Sequence, residues 1–264
     1  MTLCQNRSTF ICGRIAMHSP RFFCATPLSD ADEDRALELP RETARHIAQA
    51  LRMRPGDSLA LFNGEGGEFA ATITRIDKRG VAVRINGFDS VERELRRPAT
   101  LVQSIIAADM MDLVVRKAVE LGAAAIVPVH AERSQRAPEP RIAKRVDRWR
   151  QIAVSACEQC GRNHVPAIAD VVPLSAWLDR DRAGDCTVML VPDGAMPYGA
   201  VLRDSVPRFI VVGPEGGFTP HEQDHAQRSG VVLGQLGPTV LRAETAALAA
   251  LAAIAACHSQ GETT

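Results

Sequence analysis

The chain has no excess of either charge, since its 264 residues carry 31 Lys plus Arg against 31 Asp plus Glu. That balance removes any argument for a nucleic-acid partner from overall charge and leaves only the local distribution to supply one. No disulfide framework is visible either. The seven Cys, at 4, 12, 24, 157, 160, 186 and 257, are an odd number without a framework spacing, which fits reduced thiols in the cytoplasm. The opening residues MTLCQNRSTFICGRIA hold no sustained apolar run and no good cleavage site, so no signal peptide is expected. Met17 offers a natural start, with residues 1–16 a disordered or mis-started extension. The most apolar helical stretch, Leu241 to Cys257, is alanine-dense, too short and too weakly hydrophobic to span a membrane. What remains is an ordinary globular composition, 46% hydrophobic and 23% charged, with a real core in one large domain or two small ones.

The most informative stretch runs from Arg208 to Ala246. An apolar run, Phe209 to Val212, breaks at Gly213-Pro-Glu-Gly-Gly217 and is followed by a helix start. Thr219-Pro-His-Glu222 places Thr at the N-cap, Pro at the first helical position and Glu three residues after the cap. A second strand, Val231 to Leu233, enters another glycine-containing loop. Two such loops at strand ends in an α/β pattern point to a ligand crevice.

From Pro20 to about Arg97 the pattern is strand-rich. Arg21 to Cys24 opens a strand, Arg41 to Leu51 has helical spacing, and three strand-like runs follow at Ser58 to Phe62, Glu68 to Ile76 and Gly80 to Ile85, joined by turn-forming residues. A small β-barrel is expected. Thirteen basic residues meet thirteen acidic ones over 20–97, so a basic surface requires Arg41, Arg45, Arg52 and Arg54 to fold onto one side; otherwise they are solvated helix and turn charges. The charged segment Glu92 to Pro98 marks a domain boundary, giving an extension over 1–19, a first domain over 20–96 and a second over 97–264.

The second domain begins with a buried-type strand from Thr100 to Ala107, a helix from Met110 to Leu121 closed by Gly122, and a strand from Ala125 to Val129. This β-α-β order predicts a parallel sheet. Residues 132–162 hold eight basic groups against four acidic ones, a local excess that suits either an RNA surface or a solvated helix. Cys157-Glu-Gln-Cys160 has C-x-x-C spacing but sits late in a helix and has no second Cys pair, which argues against a redox or zinc site. His221-Glu-Gln-Asp-His225 matches H-E-x-x-H, the pattern of a zinc hydrolase. Its Glu222 is already explained as the capping-box partner of Thr219, and no third ligand is evident, so no metal is expected.

Five motifs together resemble the ribosomal RNA small subunit methyltransferase E family, which methylates uridine N3 of 16S rRNA and belongs to the knotted SPOUT superfamily. They are Leu51-Arg-Met53 with Pro55-Gly56, Lys117 to Gly122, Ala156 to Arg162 with Val165-Pro166, Gly213 to Gly217, and Leu241 to Ala246. The match spans about Pro20 to Ala256. The resemblance implies an N-terminal PUA-like β-barrel for RNA, a C-terminal α/β domain with a deep trefoil knot, S-adenosylmethionine as methyl donor, a homodimer, and the decoding region of the small subunit as target. The chain departs from the family at Ala107 to Asp112, where a basic turn is usual, and at Thr239, where Arg is usual. Both departures remove positive charge, and both bear on RNA binding more than on reaction type.

By that resemblance the cofactor lies among three loops: after Val188 to Leu190; at Gly213, Pro214, Glu215, Gly216 and Gly217; and at Leu236, Gly237, Val240 and Leu241, with Ala246 beyond. Arg21, Arg52, Arg54, Lys117, Arg133 and Arg162 are the candidate RNA contacts. Uridine N3 is protonated at neutral pH, so the reaction needs a base or an anion-stabilising cation. Arg242 is the leading candidate for stabilising charge on the uracil oxygens. Glu244 or Glu215 accepts the proton, or else caps a helix or fixes a loop. A non-catalytic RNA-binding or ribosome-assembly protein of the same fold is the main alternative, with the zinc hydrolase behind it.

Overall fold

The computed structural model describes residues 19–29, 34–135, 138–182 and 184–259. The extension expected over 1–19 therefore lies, apart from Ser19, outside the described residues. Two compact units are present: the chain up to Arg93 together with Gly161–His164, and Glu94–Cys160 together with Val165 onward.

The first unit is built on five strands, β1 (Arg21–Phe23), β2 (Ala36–Glu38), β3 (Ser58–Phe62), β4 (Glu68–Asp77) and β5 (Gly80–Asp89), in the order β1-β3-β4-β5-β2. β1 runs parallel to β3, and the other pairings are antiparallel. Alternation sets its core: Leu59, Leu61, Ile73, Val83 and Ile85 bury on one face because successive strand side chains point to opposite sides. A short helix α1 (Arg41–Arg45), prolonged by a π-turn over His46–Ala50, adds Ala44 and Ile47 to that core. Arg52 follows in a left-handed conformation, φ 53°, unusual for a residue with a side chain.

The second unit is a parallel sheet with helices on both faces. Its elements are β6 (Thr100–Ser104), α2 (Ala108–Glu120), β7 (Ala125–His130), α3 (Glu139–Cys160), β8 (Ala167–Ile168), β9 (Val172–Pro173), α4 (Leu174–Leu178), β10 (Thr187–Leu190), β11 (Met196–Pro197), α5 (Tyr198–Asp204), β12 (Phe209–Val212), α6 (Pro220–Arg228), β13 (Val232–Gln235) and α7 (Ala243–Ser259). The order is β11-β13-β10-β12-β6-β7-β8, with β9 also on β7, and every pairing is parallel. The central strands bury both faces, which is why Thr100–Ser104 and Thr187–Leu190 read as continuous rather than alternating runs. α2 buries Met111, Val114, Val115, Ala118 and Val119, the i, i+3, i+4, i+7, i+8 stripe of an amphipathic helix.

Candidate active site

Adjacent strands β13, β10 and β12 end at Gln235, Leu190 and Val212, and the loops leaving them enclose a crevice of about 670 Å³. Ligands in open α/β sheets bind at the carboxyl ends of strands, and this volume lies in the usual range for a small-molecule pocket. Leu190, Gly213, Pro214, Glu215, Gly216, Gly217, Leu236, Val240, Leu241 and Ala246 all line it; Gly237 does not. Arg242 and Glu244 line it too, on the chain entering α7.

The glycines are required by shape. Gly217 has φ +68°, a conformation that a Cβ disfavours, and a Cβ on Gly216 would stand 3.3 Å from the Cβ of Arg133. Without side chains at these positions a ligand can approach the loop backbone closely, which suits the edges of a base and a ribose.

Three polar side chains of the crevice differ in how they are spent. The Glu215 carboxylate accepts the backbone N–H of Ala107, the N-cap of α2, at 2.8 Å. That bond satisfies one of the donors that a helix start leaves open, so Glu215 joins the glycine loop to α2. The side chains of Arg242 and Glu244 have no hydrogen-bond or ion-pair partner among the described residues. The crevice thus keeps one unpaired cation and one unpaired carboxylate two residues apart.

The remaining sequence candidates are dispersed. Arg133 lines the crevice and donates from Nη1 to the Gly216 carbonyl at 2.9 Å. Lys117 is half-exposed and pairs with Glu120 at 2.7 Å. Arg52 and Arg54 are exposed, as are Arg41 and Arg45. Arg21 is not a free surface cation: it pairs with the buried Glu68 and donates to Asn163 Oδ1 at 2.7 Å. Arg162, 4% exposed, is buried in the same unit. Within the basic stretch, Arg148 pairs with Asp112, which raises its pKa, and Arg150 pairs with Asp147 and Asp170.

The H-E-x-x-H and C-x-x-C motifs sit on helices. Thr219 and Glu222 form the capping box, with Pro220 at the first helical position. His221 faces Glu132 at 3.5 Å and His225 faces Asp179 at 2.8 Å. Among the described residues no three His, Cys, Asp or Glu side chains converge as metal ligands. Cys157 is buried within α3 and Cys160 ends that helix. Met110, Phe218 and Gln223 line the crevice without having been anticipated. Only position relative to the strand ends marks them, and that is not legible in a linear pattern.

Strand-end glycine loops over a parallel sheet, with open polar groups between them, define an α/β cofactor-binding enzyme. Comparison with known proteins narrows the class. Residues 93–255 match the RNA methyltransferase domain model and residues 39–86 the RNA methyltransferase PUA domain model. The chain is 30% identical over 244 residues to ribosomal RNA small subunit methyltransferase E of Bacillus subtilis (strain 168), covering 89% of this chain and 95% of that protein. It is 31% identical over 223 residues to the protein of the same name from Mycobacterium bovis, covering 81% and 84%. The crystal structure of ribosomal RNA small subunit methyltransferase E from Neisseria gonorrhoeae, bound to S-adenosyl methionine, superposes with a TM-score of 0.84 at 36% identity, covering 91% of this chain and 98% of that one. The chain belongs to the ribosomal RNA small subunit methyltransferase E family.

Proposed function

We propose that the protein methylates N3 of a uridine in 16S rRNA of the small ribosomal subunit, near the decoding region, with S-adenosylmethionine as donor. The observation that carries this reading is the crevice at the ends of β10, β12 and β13, where glycine backbone meets an unpaired Arg242 and Glu244. Its backbone-lined loops fit the adenine and ribose of the donor, and the bound cofactor supplies an electrophilic methyl group.

The protein's own part is orientation, charge and proton handling. Methyl transfer is an in-line displacement, so a rigid glycine loop that fixes donor position does much of the work. Arg242 stabilises negative charge as it develops on the uracil carbonyl oxygens. Glu244 takes the N3 proton, because one oxygen of Glu215 is already bonded to the Ala107 backbone while both oxygens of Glu244 are open. Glu215 holds the loop. The target base must be unpaired or extruded, since N3 is hidden in a base pair.

The N-terminal unit, taken as a PUA-like barrel, reads the RNA through exposed Arg52 and Arg54, and Lys117 and Arg133 contribute from the second unit. Residues 97–264 form the SPOUT domain with its trefoil knot, which works as a homodimer in the cytoplasm, where ribosomes are assembled. No helix among the described residues is long and apolar enough to cross a membrane.

Calorimetric titration with S-adenosylmethionine tests the reading. Stoichiometric binding, retained in Arg242→Ala, is expected. Absence of binding would leave a non-catalytic RNA-binding protein, and stoichiometric zinc would revive a hydrolase.

A further inference from the structure

One buried carboxylate near the glycine loop has no place in the reaction just described. Glu222 is 7% exposed although it lies in the first turn of α6. Its Oε2 accepts the Thr219 backbone N–H at 2.8 Å, which completes the capping box. Its Oε1 reaches out of the helix and accepts the backbone N–H of Glu132 at 2.8 Å, a residue 90 positions earlier in the loop after β7. A capping box needs one carboxylate oxygen, and here the other ties two loops together.

The next residue is Arg133, whose Nη1 donates to the Gly216 carbonyl at 2.9 Å and whose stem packs against Gly216. Gly213, Gly216 and Gly217 have no side chains with which to hold their own loop. Beyond the Glu215 bond to Ala107 and the turn closed by the Gly217 N–H on the Pro214 carbonyl, its support comes from neighbours, and a binding site held by loosely supported backbone loses affinity. We infer that Glu222 and Arg133 are positioning residues for the cofactor. Glu222 fixes the backbone of Glu132, which aims Arg133, which in turn sets the Gly216 carbonyl and the loop facing the donor. The requirement is for a carboxylate, since each of its oxygens receives a backbone N–H, whereas the amide of Gln accepts on one atom only.

This inference rests on the reading that S-adenosylmethionine occupies the crevice, and its test separates the two. Affinity for S-adenosylmethionine is measured calorimetrically without RNA, on the full chain and on Glu222→Gln, Arg133→Ala, Arg133→Lys and the Glu222→Gln/Arg133→Ala pair, alongside thermal unfolding. Each of Glu222→Gln and Arg133→Ala is expected to weaken binding about tenfold, and the pair by about 30-fold rather than a hundredfold, because the two act through one loop. Arg133→Lys recovers part of the loss, because it keeps a cation at that position. If Glu222→Gln does not fold, Arg133→Ala decides. Unchanged cofactor affinity in the folded variants overturns the inference, even if Arg133→Ala weakens RNA binding, because Arg133 would then serve only a phosphate. Failure of the unaltered protein to bind S-adenosylmethionine overturns the reading of the crevice instead.

Discussion

The crevice of the second unit and the charge cluster of the first use the same residue types to opposite ends. In the cluster, Glu68 is 2% exposed and receives both Arg21 and Arg93. Those arginines also donate to Asn163 Oδ1 and to the Gly161 carbonyl, and Asn163 donates to the Val91 carbonyl at 2.7 Å. This network knits Gly161–Asn163 into the first unit. In the crevice, Arg242 and Glu244 sit two residues apart, and their side chains have no partner among the described residues. A buried charge needs a partner to be tolerated, whereas an open one is available to a substrate. Arginine in the sequence does not tell these apart; burial does.

The comparison breaks most sharply at Arg242. Arg242→Ala is expected to lower kcat by about 100-fold or more, the scale of losing one charge-stabilising donor, with S-adenosylmethionine affinity within about threefold. Equal losses in both would place Arg242 in cofactor binding. The cluster should answer with stability instead. Glu68→Ala strands two arginines and is expected to cost about 3 kcal/mol in denaturant unfolding, the scale of removing one partner of a buried pair, while cofactor affinity stays unchanged. A loss below about 0.5 kcal/mol, typical of a surface site, would show that the cluster is solvated.

Much of the fold was legible before folding, and the reasons differ by element. β3, β6 and β12 are apolar runs, so their existence follows from composition over a few positions. The α6 capping box is local chemistry confined to Thr219–Glu222. β8, β9 and β11 are two residues long and leave no period to detect. The sheet order is set by pairings between distant segments, such as β6 with β12, and no local pattern encodes those. The crevice-lining glycines were visible as loops, yet the bond from Ala107 to Glu215 joins residues 108 positions apart. Arg21 and Arg162 were candidate RNA contacts, and nothing local reveals that Arg162 is buried or that Arg21 is committed to Glu68.

Two smaller effects are expected in α6 and at Tyr198. Thr219→Ala removes the α6 cap and is expected to cost about 1 kcal/mol of stability; no change would mean that Glu222 carries the cap alone. Tyr198 is buried with its hydroxyl on the Ala250 carbonyl at 3.3 Å, and burial pushes its pKa above the ordinary phenol value. A group whose pKa is raised on folding contributes stability that is intact below its unfolded pKa and is lost as pH rises toward the folded value. Stability should therefore fall as pH climbs above about 10, the unperturbed phenol range, and Tyr198→Phe should flatten that fall in thermal unfolding. An identical alkaline profile in the variant would remove Tyr198 as the cause.

The most direct measurement of the central claim is transfer of a tritiated methyl group from S-adenosylmethionine to small ribosomal subunits and to naked 16S rRNA from a strain lacking the activity, followed by nucleoside analysis. Label is expected in 3-methyluridine, lost with Arg242→Ala and kept with Arg148→Ala, which disrupts a surface ion pair away from the crevice. Label in any other nucleoside, or transfer unaffected by Arg242→Ala, would contradict that claim.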